Sequence, residues 1–210
     1  MSIIEAIDIN CQRGYYFLFN PVSFALDRGQ SLLISGPNGI GKTTLLESIA
    51  GLRRFQQGSV NFDGKNILNC KDQWFDQSLY IGHKTGNKKE LTCLENLLYF
   101  LQIQGVEINQ EQAEQTLASV GLAGFEYHMA GRLSAGQKKR LALARLVVVD
   151  FLVWILDEPF VNLDVAGCDW LMSVLKKHLN NKGLLIITAH DNRAIRNQVS
   201  QELVLQANLQ

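Results

Sequence analysis

Gly36-Pro37-Asn38-Gly39-Ile40-Gly41-Lys42-Thr43-Thr44 is the stretch on which the reading of this chain turns. It follows an apolar run, Ser31-Leu32-Leu33-Ile34-Ser35, that reads as a buried strand, and it opens a run to Ala50 that reads as a helix. A glycine-rich loop in that context cradles phosphate when its residues have these types at this spacing. Gly36 and Gly41 let the backbone curl until successive N–H groups point inward at a β-phosphate. The helix behind the loop adds the positive end of its dipole. Lys42 suits the β- and γ-phosphates, and the Thr43 hydroxyl can ligate magnesium. All nine residues, Gly36 to Thr44, are therefore expected to hold a nucleotide, and the rest of the chain must say for what. The plain alternative is a connection without function, and the flanking strand and helix weigh against it.

Composition narrows the class. Twenty basic and twenty acidic side chains cancel in 210 residues, so there is no electrostatic case for binding nucleic acid. The length suits one sizeable domain, 1–210. Cys11, Cys70, Cys93 and Cys168 are scattered without a CxxC pair, which fits buried thiols in a reducing compartment. Ser2 to Asn10 alternates like a strand rather than a targeting signal. The longest apolar run, Leu146 to Leu156, is interrupted by Asp150 and too short to cross a bilayer. A soluble, cytosolic chain is expected, with any crossing left to other subunits.

Outward from the loop, Ile3 to Asn10 and Val22 to Leu26 read as strands, and Gly51 stands where a helix C-terminus belongs. Ser59 to Phe62 and Lys65 to Ile67 flank Asp63-Gly64, a hairpin signal. The first half thus reads as an antiparallel β arm beside a nucleotide core. From Leu91 to Gly131 the pattern is helical: Leu94, Leu97, Leu98 and Leu101 recur at helical spacing, and Gln110 to Val120 is a second amphipathic run. Gln137 to Val147 reads as a helix, Phe151 to Leu156 and Leu184 to Thr188 as buried strands, and Leu203 to Leu205 as a short last strand. Alternating strands and helices predict an α/β fold with a mostly parallel sheet, the antiparallel arm, and a helical subdomain at about 91–131.

Four further signals follow in order. Leu133-Ser134-Ala135-Gly136-Gln137 precedes a basic helix; apolar residues lead into Asp157-Glu158-Pro159; Val161-Asn162-Leu163-Asp164 follows; Thr188-Ala189-His190 ends a later strand. Asp157 at the end of a buried strand beside a phosphate loop can hold magnesium, and Glu158 can orient and deprotonate an attacking water. Ser134, Gly136 and a helix beginning near Gln137 make a second anion-binding terminus, although LSAGQ also reads simply as a serine-capped helix start. Two such ends and one γ-phosphate imply a head-to-tail dimer.

Together with the phosphate loop these motifs closely resemble the ATP-binding cassette of transporter ATPases, a P-loop nucleotide hydrolase fold, over nearly the whole length. The resemblance implies that His190 hydrogen-bonds the γ-phosphate, that Asp164 lies at the dimer seam, and that Ser134, Gly136 and Gln137 close over ATP held by the other copy. Counting along the family pattern puts His83 where a glutamine usually stands, to contact Mg²⁺ through water or to couple to the membrane partner, and Arg13 where an aromatic ring usually stacks on the base. Tyr15 and Tyr16 remain alternatives to Arg13. The strings Tyr80-Ile81-Gly82-His83, Leu133 to Arg140 and Trp154 to Phe160 resemble ATP-binding subunits of bacterial haem exporters of cytochrome c maturation. That implies integral membrane partner subunits, a homodimer formed on ATP binding, Mg²⁺ as cofactor, and a place on the cytoplasmic face of the inner membrane. Residues 91–131 and the His83 loop would form the partner's docking groove. Two other classes compete: a cassette acting on nucleic acid or ribosomes, which usually carries insertions not visible here, and a low-turnover regulatory subunit, against which Glu158 and His190 weigh.

Overall fold

The computed structural model describes residues 3–189 and 193–208. Strands β1 (Ile4–Asn10), β2 (Gln12–Arg13), β3 (Tyr16–Phe17), β4 (Val22–Leu26) and β5 (Ser31–Ser35) lead into helix α1 (Lys42–Ile49). Next come β6 (Gln57–Phe62), β7 (Lys65–Asn66), α2 (Lys71–Gln77) and β8 (Ser78–Ile81). Helices α3 (Cys93–Ile103), α4 (Gln110–Ser119) and α5 (Ala135–Leu143) follow, with 3₁₀ turns at Ala130–Arg132 and Ala144–Val147. The remaining elements are β9 (Val153–Asp157), α6 (Val165–Asn180), β10 (Leu184–Thr188), α7 (Arg193–Arg196) and β11 (Gln201–Val204). They form two compact units: Met1–Tyr80 with Phe151–Glu158 and Lys177–Gln210, and Ile81–Asp150 with Pro159–Lys176.

The first unit holds two sheets. Five strands in the order β11-β5-β10-β9-β8 form the nucleotide core, and β11/β5, β5/β10 and β10/β9 all run parallel. Strands β5, β9 and β10 are buried at every position, which is why they read as continuous apolar runs rather than alternating ones. Helix α1 turns Leu45, Leu46 and Ile49 inward and packs on β9 and β10. It ends in a glycine-capped turn: Gly51 takes φ 76°, its N–H reaches the Ser48 carbonyl at 3.1 Å, and the Leu52 N–H reaches Glu47 at 2.9 Å. The second sheet, β4-β1-β6-β7, is the expected antiparallel arm. Its β6–β7 hairpin turns at Asp63 (φ 48°) and Gly64 (φ 75°), as the Asp-Gly pair predicts.

The second unit is helical and extends on both sides of the expected 91–131 stretch. Cys93, Leu97 and Leu101 of α3 pack with Ala113 and Leu117 of α4 and Leu141 of α5. Reciprocal caps start the two leading helices, Thr92 with Glu95 for α3 and Asn109 with Gln112 for α4. The helix expected over 137–147 begins two residues earlier, because Ser134 caps it, and tightens into a 3₁₀ turn at Ala144.

Candidate nucleotide site

Between β5 and α1 the chain makes the tight turn that its sequence requires. Gly36, Gly39 and Gly41 have φ of 140°, 78° and 108°, all in the region that disfavours side chains. At Gly41 a Cβ would also crowd Leu18, 2.9 Å from its Cδ1. Gly41 is the N-cap of α1 and offers no side chain, and no acidic residue sits in the first turn. The leading N–H groups of this helix therefore have no side-chain cap, an arrangement that suits an anion. Lys42 is buried, and its Nζ donates to the carbonyls of Gly36 (2.8 Å) and Pro37 (3.0 Å), so the ammonium is folded over its own loop.

At the end of β9, Asp157 is 1% exposed. Its Oδ2 accepts from Thr43 Oγ1 at 2.7 Å and its Oδ1 from Thr188 Oγ1 at 2.7 Å. The Glu158 N–H donates to the same Thr188 oxygen at 2.9 Å, and Glu158 itself takes a left-handed φ of 46°. Burial, with the Asp157 and Glu47 charges nearby, pushes the Tyr80 phenol well above its ordinary value, so that hydroxyl stays protonated. A cavity of about 410 Å³ is lined by Arg13, Asn38, Gly39, Gly41, Lys42, Thr43, Thr44 and Glu158. Of the three candidates for meeting a base, Arg13 lines this cavity; Tyr15 and Tyr16 are exposed, Tyr15 at 96%, and do not. Pro37 is exposed on the loop beside it and Ile40 is buried under it.

Ser134, Gly136, Gln137, Asp164 and His83 lie in the second unit. Ser134 Oγ accepts the Gln137 N–H at 3.2 Å, and Gln137 Oε1 accepts the Ser134 N–H at 2.9 Å, a closed capping box on α5. Gly136 has a packing reason that its sequence context did not reveal. A Cβ there would lie 2.6 Å from the Asn162 carbonyl oxygen. Asp164 pairs with Arg140 and accepts the Gly167 N–H at 2.9 Å; that N–H first, and Arg140 with it, holds the carboxyl below its usual range. His83 is exposed on a loop that is fastened four residues later to α5 and the 3₁₀ turn behind it. Asn87 Nδ2 donates to the Lys138 carbonyl (2.8 Å) and Asn87 Oδ1 accepts from Arg145 (3.2 Å). His190 lies outside the described residues.

The donor set fits a hard divalent cation held jointly with a nucleotide. Thr43 gives its proton to Asp157 and keeps its lone pairs, and one carboxylate beside a phosphate loop is what magnesium shared with phosphates requires. Among the described residues no three His, Cys, Asp or Glu side chains gather to hold a metal by themselves. Nor is any described helix long and apolar enough to cross a membrane.

Residues 19–161 match the family model described as ABC transporter, and the chain belongs to that family as an ATPase subunit of the cassette type. It is 42% identical over 193 residues to the cytochrome c biogenesis ATP-binding export protein CcmA of Shewanella frigidimarina, covering 92% of this chain and 88% of that one. To the protein of the same name from Nitrosospira multiformis it is 37% identical over 205 residues, covering 98% and 100%. Among solved structures, an ATP-binding subunit of an ABC transporter superposes with a TM-score of 0.87 at 20% identity, over 98% of this chain and 86% of that one. A putative ABC transporter ATP-binding protein from Pyrococcus furiosus gives 0.81 at 22%, over 96% of each. At those identities the two structures speak for the fold alone.

Proposed function

We propose that this chain hydrolyses ATP to drive integral membrane partner subunits in haem export or handling during c-type cytochrome biogenesis. The observation that carries the site is the hydrogen bond from Thr43 to Asp157, which joins the phosphate loop to the end of β9, with Glu158 on the wall of the same cavity. The shared name of the relatives, a cytochrome c biogenesis ATP-binding export protein, supports the biological direction.

In this reading the loop Gly36 to Thr44 and the open N-terminus of α1 bind the phosphates, and Arg13 lies against the base. Lys42 leaves its two carbonyls for the β- and γ-phosphate oxygens. Thr43 and Asp157 hold Mg²⁺, which supplies charge neutralisation of the triphosphate when bound. Glu158 takes a proton from the attacking water as its oxygen bonds to the γ-phosphorus; the bond to the bridging oxygen breaks and ADP leaves with the electron pair. His190 orients the γ-phosphate and the water. Two copies pair head to tail, so that Ser134, Gly136 and Gln137 of one close over the ATP of the other, with Asp164 at the seam. His83 and residues 91–131 face the membrane partner, which keeps the chain on the cytoplasmic face of the inner membrane.

Purification of the tagged full chain from detergent-solubilised membranes should bring integral subunits with it, and the complex should release phosphate from ATP. Lys42→Ala is expected to lower that rate by about 100-fold or more. Full-rate hydrolysis by Lys42→Ala, or a rate raised by DNA, RNA or ribosomes, would overturn the reading.

A further inference from the structure

Strand β10 is apolar from Leu184 to Ile187 and ends on a threonine that is fully buried. Valine would fill that place with the same shape and at least equal preference for a strand. A buried hydroxyl in such a row is unfavourable unless it is hydrogen-bonded. Here both of its hydrogen bonds go to the acidic pair. Thr188 stands opposite Asp157 in the parallel β10–β9 register, so the side chains share a face at the end of the sheet. A threonine hydroxyl has one proton to give and lone pairs to accept with. The proton goes to Asp157 Oδ1 at 2.7 Å, and the oxygen accepts the Glu158 N–H at 2.9 Å.

We propose that Thr188 is a positioning residue for the ATPase, one hydroxyl that both aims the Asp157 carboxylate at Thr43 and secures the backbone turn presenting Glu158. With Oδ1 held by β10, Oδ2 is the oxygen turned to Thr43 on α1, so hydroxyls from two separate elements fix the plane of the carboxylate. The Glu158 N–H is engaged at the residue whose φ of 46° the backbone otherwise disfavours for a non-glycine. The metal-holding group and the general base are thereby oriented from a single atom. This inference rests on the ATPase reading above and adds to it a residue that touches neither the nucleotide nor the water.

The test compares Thr188→Val, which keeps the shape and removes the hydroxyl, with Thr188→Ser, which keeps the hydroxyl and removes the methyl. Binding of a fluorescent ATP analogue is measured in EDTA and again with Mg²⁺, beside kcat of the full complex. Thr188→Val is expected to bind as the wild type does in EDTA, while the tightening on adding Mg²⁺ and kcat each fall about 10- to 100-fold. Thr188→Ser should restore both. Should Thr188→Val not fold, Thr188→Ala against Thr188→Ser makes the same comparison. A Thr188→Val protein with wild-type kcat and wild-type Mg²⁺ dependence overturns the proposal, as does equal impairment of the valine and serine variants. If Lys42→Ala is inactive while Thr188→Val is normal, only this inference fails; an active Lys42→Ala removes the ATPase reading itself.

Discussion

Helices α1 and α5 each begin next to a glycine-containing motif, and they begin in opposite ways. At α1 the cap residue is Gly41, left-handed and without a side chain, so the first N–H groups receive no help from a cap. At α5 Ser134 and Gln137 satisfy each other's N–H groups in a closed box. Every helix start leaves orphan donors that something must satisfy. In α5 the chain's own side chains satisfy two donors, the Ser134 and Gln137 N–H groups; in α1 the cap residue satisfies none. The first end thus suits an anion, and the second is closed in part by its own side chains. That difference suits a protein that holds nucleotide at α1 and, in the proposed dimer, meets a second copy's phosphate at α5.

The largest expected effect uses the dimer to load the second end. Glu158→Gln keeps the shape of the side chain and removes its basicity, so hydrolysis should fall about 10²- to 10⁴-fold while ATP stays bound. The trapped form should accumulate as a dimer, read by light scattering with and without MgATP. A variant that hydrolyses at the wild-type rate, or that stays monomeric with ATP bound, would break the pairing of the two ends.

A second change tries to turn the open end into a capped one. Gly41→Ser offers α1 a hydroxyl of the type that α5 already has. The left-handed φ of 108° and the Leu18 contact at 2.9 Å oppose any side chain there. Stability should drop by about 1–3 kcal/mol and ATP affinity should fall with it. Thermal unfolding and nucleotide titration check both, and a serine protein as stable and as tight as the wild type would show that the bareness of α1 is incidental.

How much of this was legible beforehand follows the range of the interactions. The phosphate loop is local: its residue types, its spacing and the turn it must make lie within nine positions. Strands β5, β9 and β10 were legible because burial on both faces removes any need for alternation. Helix α6 was not anticipated, although Leu171 and Leu175 are buried one turn apart on it. The roles of Thr188 and Asn87 were beyond reach for another reason. Thr188 meets Asp157 across 31 positions and Asn87 meets Lys138 across 51, and no local pattern announces such pairs. Thr188 did leave a trace, a polar residue closing an apolar strand. Neither an anion site nor a helix cap explains Gly136 as fully as the approach of the Asn162 carbonyl, which already requires a residue without a side chain.

Smaller effects belong to the self-satisfied end. Ser134→Ala removes the cap of α5 and should destabilise the protein by ~1 kcal/mol, with hydrolysis by the complex reduced as well. Loss of stability without loss of hydrolysis would reduce Ser134 to its capping role. Smallest of all is the contribution of Asp164 in the same unit. Its carboxylate accepts the Gly167 N–H and pairs with Arg140, whose other nitrogen donates to the Val120 carbonyl at 3.0 Å. Because these partners lower its pKa in the folded chain, its contribution is complete above the ordinary carboxylate range and is lost as pH falls through the lowered value. Asp164→Asn keeps an acceptor for Gly167 and removes the charge. At neutral pH its thermal midpoint should lie slightly below that of the wild type, and the gap should close in acid and shrink in high salt, since the carboxylate is exposed and screened. A gap that persisted in acid would mean that geometry at the start of α6, rather than the charge of Asp164, is what the substitution disturbs.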